Sequence, residues 1–131
     1  MLNSKIKKIV SEVYEIQELI GHGTFGVVYK AFDKKLKNLV AVKFFTHGTQ
    51  ISKNFINESK LIFRLTHPHV TQALDFFYTD TGYAIVFEYM NQGDLRGYFE
   101  QVKHLTEYQT LIIAAQVVTG LSYIHKKGII H

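Results

Sequence analysis

A chain of 131 residues with 47% apolar content and a formal charge of +4 is long enough for one globular domain, which would remove roughly two thirds of its unfolded surface from water. The absence of cysteine excludes a disulfide framework or thiolate metal site, and the longest apolar run, residues 111–115, is too short for a bilayer span. The positive charge suits an anionic partner, but Lys and Arg do not interleave with aromatics on any stretch, so no nucleic-acid surface is expected. A cysteine-free chain fits a reducing compartment, and the expected location is cytoplasmic, with the nucleus as the alternative.

Residues 1–13 carry Lys5, Lys7 and Lys8 without a signal-like apolar core, and read as a disordered N-terminal extension. Residues 14–21, 26–32 and 39–45 are rich in Val, Ile, Tyr and Phe and separated by glycine or polar turns, which predicts a three-stranded meander. From about 51 to 65 the period becomes helical, with Ile51, Phe55, Ile62 and Leu65 on one face, until His67-Pro68 stops it. Residues 73–78 and 83–89 form a second predicted hairpin around residues 79–82. A short helix is expected to start at Asp94, and a longer one over 106–126, with Thr106 and Gln109 as a capping box and Gly128 as a stop. That last helix has almost no polar face, a pattern that belongs inside a larger protein. The 131 residues therefore read as part of a domain, with self-association through the uncovered helix as a consequence.

Three features could carry chemistry. Gly21, Gly23 and Gly26 would let a backbone turn bring its N–H groups against phosphate oxygens, and the strand-forming residues after Gly26 argue for a hairpin rather than the helix of a dinucleotide fold. On the third strand Ala41 and Lys43 share a face, leaving room for a flat base beside a cation that reaches phosphate. Glu58 sits in the apolar row 51, 55, 58, 62, 65, so it either faces water at the helix edge or meets a cation, for which Lys43 is the candidate. The histidine spacings match no common metal arrangement, and no metal site is expected.

In order along residues 14–131, "IGHGTFGVVYKAFD", "VAVKFF", "INESKLIFRLTHPHV", "YAIVFEYMNQGDL" and "GLSYIHKKGIIH" resemble the successive motifs of the eukaryotic protein-kinase domain. The resemblance implies an α+β fold: a kinase-like N-lobe of five antiparallel strands plus the family's αC helix over residues 14–90, then the first helices (αD, αE) of an incomplete C-lobe over 91–131. It implies a glycine-rich loop of Gly21, His22, Gly23, Thr24, Phe25 and Gly26, with Ile20 and Val28 closing over adenine. Lys43 would contact the α and β phosphates of ATP and pair with Glu58, which makes these two the implied catalytic residues. Phe87 falls at the gatekeeper position, Glu88 and Met90 at the hinge, Asp94 at the ribose contact and Leu95 below the base.

Two departures stand out. Ala73 replaces a larger aliphatic residue in the column that links the family's αC helix to the core, which implies a looser contact and a slightly mobile helix. His131 matches the first residue of the His-Arg-Asp catalytic loop, and the proton-accepting aspartate, the metal-binding asparagine and the Asp-Phe-Gly aspartate have no counterpart in this sequence. Positioned proton transfer alone supplies on the order of 10² to 10⁴ in rate, so Mg2+ use and transfer to a protein substrate are expected only of a complete domain, of the serine/threonine type. The alternative is a catalytically dead, pseudokinase-like module that binds nucleotide or a partner.

Overall fold

A computed structural model of the chain describes residues 4–23, 26–45, 60–79 and 82–130. The chain divides into two compact units, residues 1–64 with 72–89, and residues 65–71 with 90–131.

The first unit is built on five antiparallel strands: β1 (Tyr14–Gly23), β2 (Gly26–Asp33), β3 (Leu39–Phe45), β4 (Ala73–Thr79) and β5 (Gly82–Glu88), in the order β1-β2-β3-β5-β4. These strands lie where alternation and turn residues predicted them, each within about two residues. Asp33 makes the β2–β3 turn by accepting the Lys35 and Leu36 backbone N–H groups on Oδ1, both at 2.8 Å, an Asx geometry that replaces ladder bonds at the strand end. No helix follows the first glycine hairpin, which closes at Gly23 opposite Gly26 and leads directly into β2, so the dinucleotide-fold alternative fails.

The N-terminal residues correct an expectation. Residues 4–13 are not disordered: they form a helix, α1 (Ser4–Val13), that packs on the sheet with Ile6 and Val10 fully buried. Ile6, Ile9, Val10 and Val13 follow the i, i+3, i+4, i+7 spacing of one helical stripe, while Lys5, Lys7 and Lys8 lie exposed. Ile6 and Val10 join Tyr14, Ala31, Val40, Val42, Phe44, Ala84 and Val86 in a single core on one face of the sheet. Lys34 ties the helix end to the β2–β3 turn, its Nζ donating to the Ser11 carbonyl at 2.7 Å and its backbone N–H to that of Val13 at 3.3 Å.

At the junction of α1 and β1, the Tyr14 hydroxyl donates to Asp75 Oδ2 at 3.2 Å. Burial first, then the Asp75 charge and this hydrogen bond, push the Tyr14 phenol well above the ordinary tyrosine range. Its folded pKa exceeds the unfolded one, so its contribution is fully present below about pH 10 and is lost as pH rises toward the folded value. Tyr14→Phe is expected to cost about 1 kcal/mol at neutral pH and to make the alkaline decline in stability shallower. Urea unfolding of both proteins at pH 8 and above pH 10 checks this, and parallel declines would refute it.

Only residues 60–62 of the expected 51–65 helix are helical among those described, with a turn at 63–64. Residues 46–59 lie outside the described residues.

The second unit holds α2 (Leu95–Val102) and α3 (Glu107–Lys126). Asp94 caps α2, accepting the Gly97 N–H at 2.8 Å. Thr106 and Gln109 form the anticipated reciprocal box, Gln109 N–H donating to Thr106 Oγ1 at 3.2 Å and Thr106 N–H to Gln109 Oε1 at 2.9 Å. Gly128, at φ +79°, ends α3 as expected. His67 serves the turn at 67–70, its Nδ1 accepting the His69 N–H at 3.1 Å, and it stacks on Tyr123 of α3. Tyr108, Leu111, Ile112, Val117 and Val118 are exposed on α3. No helix among the described residues is long and apolar enough to cross a membrane.

Candidate functional site

Two faces of one sheet separate structural from chemical residues. Antiparallel partners point the same way, so the register decides which side chains share a face. Val40, Val42 and Phe44 face α1; Ala41, Lys43 and Phe45 face the other side, together with Val28, opposite Lys43 on β2, and with Ile85 and Phe87, opposite Lys43 and Ala41 on β5. Gly21 pairs with Val28, so the glycine hairpin is the direct continuation of the row Val28, Lys43, Ile85. The sheet thus sets a small residue, a cation and a glycine-bearing hairpin side by side.

The glycines differ in what holds them. Among the described residues, a Cβ on Gly23 would meet nothing within 4 Å, and one on Gly21 would touch only Val28, at 3.4 Å. Gly26 is different: its Cβ would lie 2.0 Å from the Phe44 carbonyl oxygen. Neither Gly21 nor Gly23 is crowded by backbone among the described residues, which suits a ligand approaching the hairpin, whereas Gly26 is required by β3. Ile20 and His22 are exposed on β1 beside them. Thr24 and Phe25 lie outside the described residues.

Strands β2 and β3 each place a lysine on this face. Lys30, opposite Ala41, donates to Glu18 Oε1 at 3.1 Å and lies over the Tyr89 ring, 5.5 Å from its centroid. The Glu18 hydrogen bond holds Lys30 above the ordinary lysine range. Lys43 is half-buried, and its Nζ lies 4.9 Å from the centroid of the Phe45 ring. Its expected partner Glu58 lies outside the described residues.

Glu88 falls on the face of Val40, and both its backbone and its side chain are engaged with Gln72: the Glu88 N–H donates to the Gln72 carbonyl at 3.0 Å, and Glu88 Oε1 accepts the Gln72 N–H at 2.8 Å. Any hinge role for Glu88 therefore falls to its carbonyl. Met90, Asp94 and Leu95 belong to the second unit, where the Met90 carbonyl accepts the Gly93 N–H at 3.2 Å and Asp94 Oδ1 is committed to its cap. Ala73 is buried and pairs with Phe87. No group of three His, Asp or Glu side chains that could hold a metal ion occurs among the described residues.

Sequence reasoning missed Phe45 and Tyr83. Their rings stack at 4.2 Å with planes 19° apart, directly beside Lys43. Strand alternation puts Phe45 on the face of Lys43, so the signal was present, though nothing in the spacing gives the ring a role.

A sequence model of the protein kinase domain matches residues 14–131. Serine/threonine-protein kinase PLK4 of Drosophila willistoni is 37% identical over 126 residues, covering 92% of this chain and 16% of its own length. Serine/threonine-protein kinase 36 of Pongo abelii is 37% identical over 123 residues, covering 92% and 9%. Smooth-muscle myosin light chain kinase of Gallus gallus is 34% identical over 127 residues, covering 93% and 6%. The chain thus spans less than a fifth of each of these relatives. Among solved structures, Rad53 1-466 in complex with AMP-PNP superposes with a TM-score of 0.81 at 26% identity, over 98% of this chain and 36% of that one. A family match running from the first residue of β1 to the end of the sequence, on a sheet that presents the lysine and the glycine hairpin together, establishes that the chain belongs to the protein kinase domain family.

Proposed function

We propose that this chain is the ATP-binding part of a protein kinase, and that the complete domain transfers the γ-phosphoryl group of ATP to serine or threonine hydroxyls of a protein substrate. The observation that carries the reading is the row Gly21, Val28, Lys43 across β1, β2 and β3. Hairpin N–H groups approach phosphate oxygens where glycine leaves the backbone open, and the lysine ammonium neutralises phosphate charge. Ala41, lacking bulk, leaves room for the base between Val28 and Phe87. Met90, Asp94 and Leu95 keep their implied hinge, ribose and base roles within this proposal. AMP-PNP in the similar Rad53 chain supports an adenine nucleotide as ligand, and the names of the relatives support serine or threonine as acceptor.

The described residues offer no carboxylate set that fits Mg2+, and its charge neutralisation would come from ligands in the rest of a complete domain. The role left to this chain is to bind and orient: it fixes the phosphates against backbone donors and one ammonium.

Lys43→Ala tests the reading. A hydrogen bond between charged groups contributes about 1.5–3 kcal/mol, so ATP affinity is expected to fall by about ten- to 150-fold. Urea unfolding is expected to shift little, because the amine is not part of the α1-side core. Titration of a fluorescent ATP derivative against both proteins decides, and equal affinities would reject the role of Lys43.

A further inference from the structure

The Lys43 ammonium has an aromatic partner two residues along its own strand. Its Nζ sits 4.9 Å from the Phe45 ring centroid, within the range where a cation is drawn to the negative face of a π system. The ring is not free to swing away, since it stacks on Tyr83 at 4.2 Å. Tyr83 in turn lies 6.1 Å from Phe76, whose ring neighbours Tyr78 at 5.8 Å and Phe63 at 6.4 Å. An aromatic row therefore backs Phe45 across β5 and β4 as far as the turn at 63–64.

Register explains the position of the ring. The β3–β5 ladder pairs Phe44 with Ala84, and one residue further brings Phe45 level with Tyr83; on the opposite side Phe45 pairs with Gly26, which has no side chain. Phe45 thus stands at the base of the glycine hairpin. An amine drawn to it points along β3 toward the hairpin instead of sweeping through solvent.

We infer that Phe45, clamped by Tyr83, is a positioning residue that holds the Lys43 ammonium at the hairpin end of the sheet, where phosphate is to arrive. The inference rests on Lys43 being the phosphate-contacting lysine. A lysine side chain carries large rotamer entropy, and the ring removes part of it before the nucleotide binds. Cation–π attraction is weaker than a charge-assisted hydrogen bond to phosphate, so the ring orients the amine without withholding it.

The test uses the full chain with its lysines reductively methylated by ¹³C-formaldehyde, which keeps the charge. Lys43→Ala identifies the Lys43 methyl signal. An amine over a ring face resonates upfield of lysines with no ring beside them; Phe45→Leu is expected to return the signal to the position of those lysines, and Phe45→Tyr to preserve the displacement. In parallel, unmethylated Phe45→Leu is expected to bind ATP about threefold more weakly than the parent chain, and Phe45→Tyr to restore the parent affinity. A Lys43 signal coincident with those lysines in the parent chain overturns the inference even if Phe45→Leu fails to fold. So does an undiminished affinity in Phe45→Leu. If Lys43→Ala itself binds ATP as tightly as the parent, the phosphate role of Lys43 has failed, and the positioning role goes with it even where the ring contact is seen.

Discussion

Gly26→Ala is expected to cost about 3 kcal/mol or more of folding stability, within the range reserved for severe steric damage. The new Cβ would stand 2.0 Å from the Phe44 carbonyl oxygen, 3.0 Å from its carbon and 3.1 Å from the Phe45 Cα. All three are backbone atoms of the adjacent strand, so no rotamer change relieves the overlap. Either β2 withdraws from β3 at this end, breaking ladder bonds between Gly26–Phe45 and Val28–Lys43, or the strand bulges. Both outcomes disturb the row that presents Lys43. Gly23→Ala is the control: no described residue lies within 4 Å of its Cβ, and a Gly→Ala change without strain is neutral or stabilises by about 0.4–1 kcal/mol through the unfolded chain. Urea unfolding followed by circular dichroism separates them. A Gly26→Ala protein as stable as the parent would mean that the close approach of β2 and β3 does not exist.

The same pair of glycines marks what the sequence could and could not convey. Three glycines at kinase spacing read as one device for phosphate, yet among the described residues Gly21 and Gly23 meet no backbone that excludes a side chain, while Gly26 answers to a carbonyl on a strand whose approach is a tertiary fact. Local signals were legible wherever the cause was local: the Thr106–Gln109 box, the Asp94 cap, the Gly128 stop and both hairpins depend on residues a few positions apart. The helix at residues 4–13 was missed for a different reason. Its three exposed lysines read as a solvated terminus, whereas the stripe Ile6, Ile9, Val10, Val13 is the structural signal. Ten residues of helix are marginal alone, so the sheet face that stabilises α1 could not be inferred from the segment itself. Lys43 and Ala41 fell on one face by alternation, as anticipated, but the aromatic clamp beside Lys43 depends on cross-strand register.

Removal of residues 1–13 is expected to have the larger effect on stability, although it leaves every kinase motif in place. The family match begins at residue 14, so a chain cut to that boundary would keep the whole matched segment. Physically it would lack the cover of one sheet face. Ile6 and Val10 are 1% and 0% exposed, and full burial of two such side chains contributes about 3–6 kcal/mol. Their loss also uncovers Val42, Phe44 and Val86, all at 0% exposure in the intact chain, and frees Lys34 from Ser11 and Val13. Whole-domain stability is only about 5–15 kcal/mol, so residues 14–131 alone are expected to be unfolded or molten, binding a hydrophobic dye and losing a cooperative urea transition. Ile6→Ala with Val10→Ala in the 131-residue chain gives the graded version, expected to lower stability by about 3–5 kcal/mol. Because the opposite face of the same sheet carries Lys43 and the glycine hairpin, nucleotide affinity is expected to fall with the cover even though α1 contributes no residue to that face. A 14–131 chain that unfolds at the same urea concentration as the full chain would show that α1 is not part of the fold.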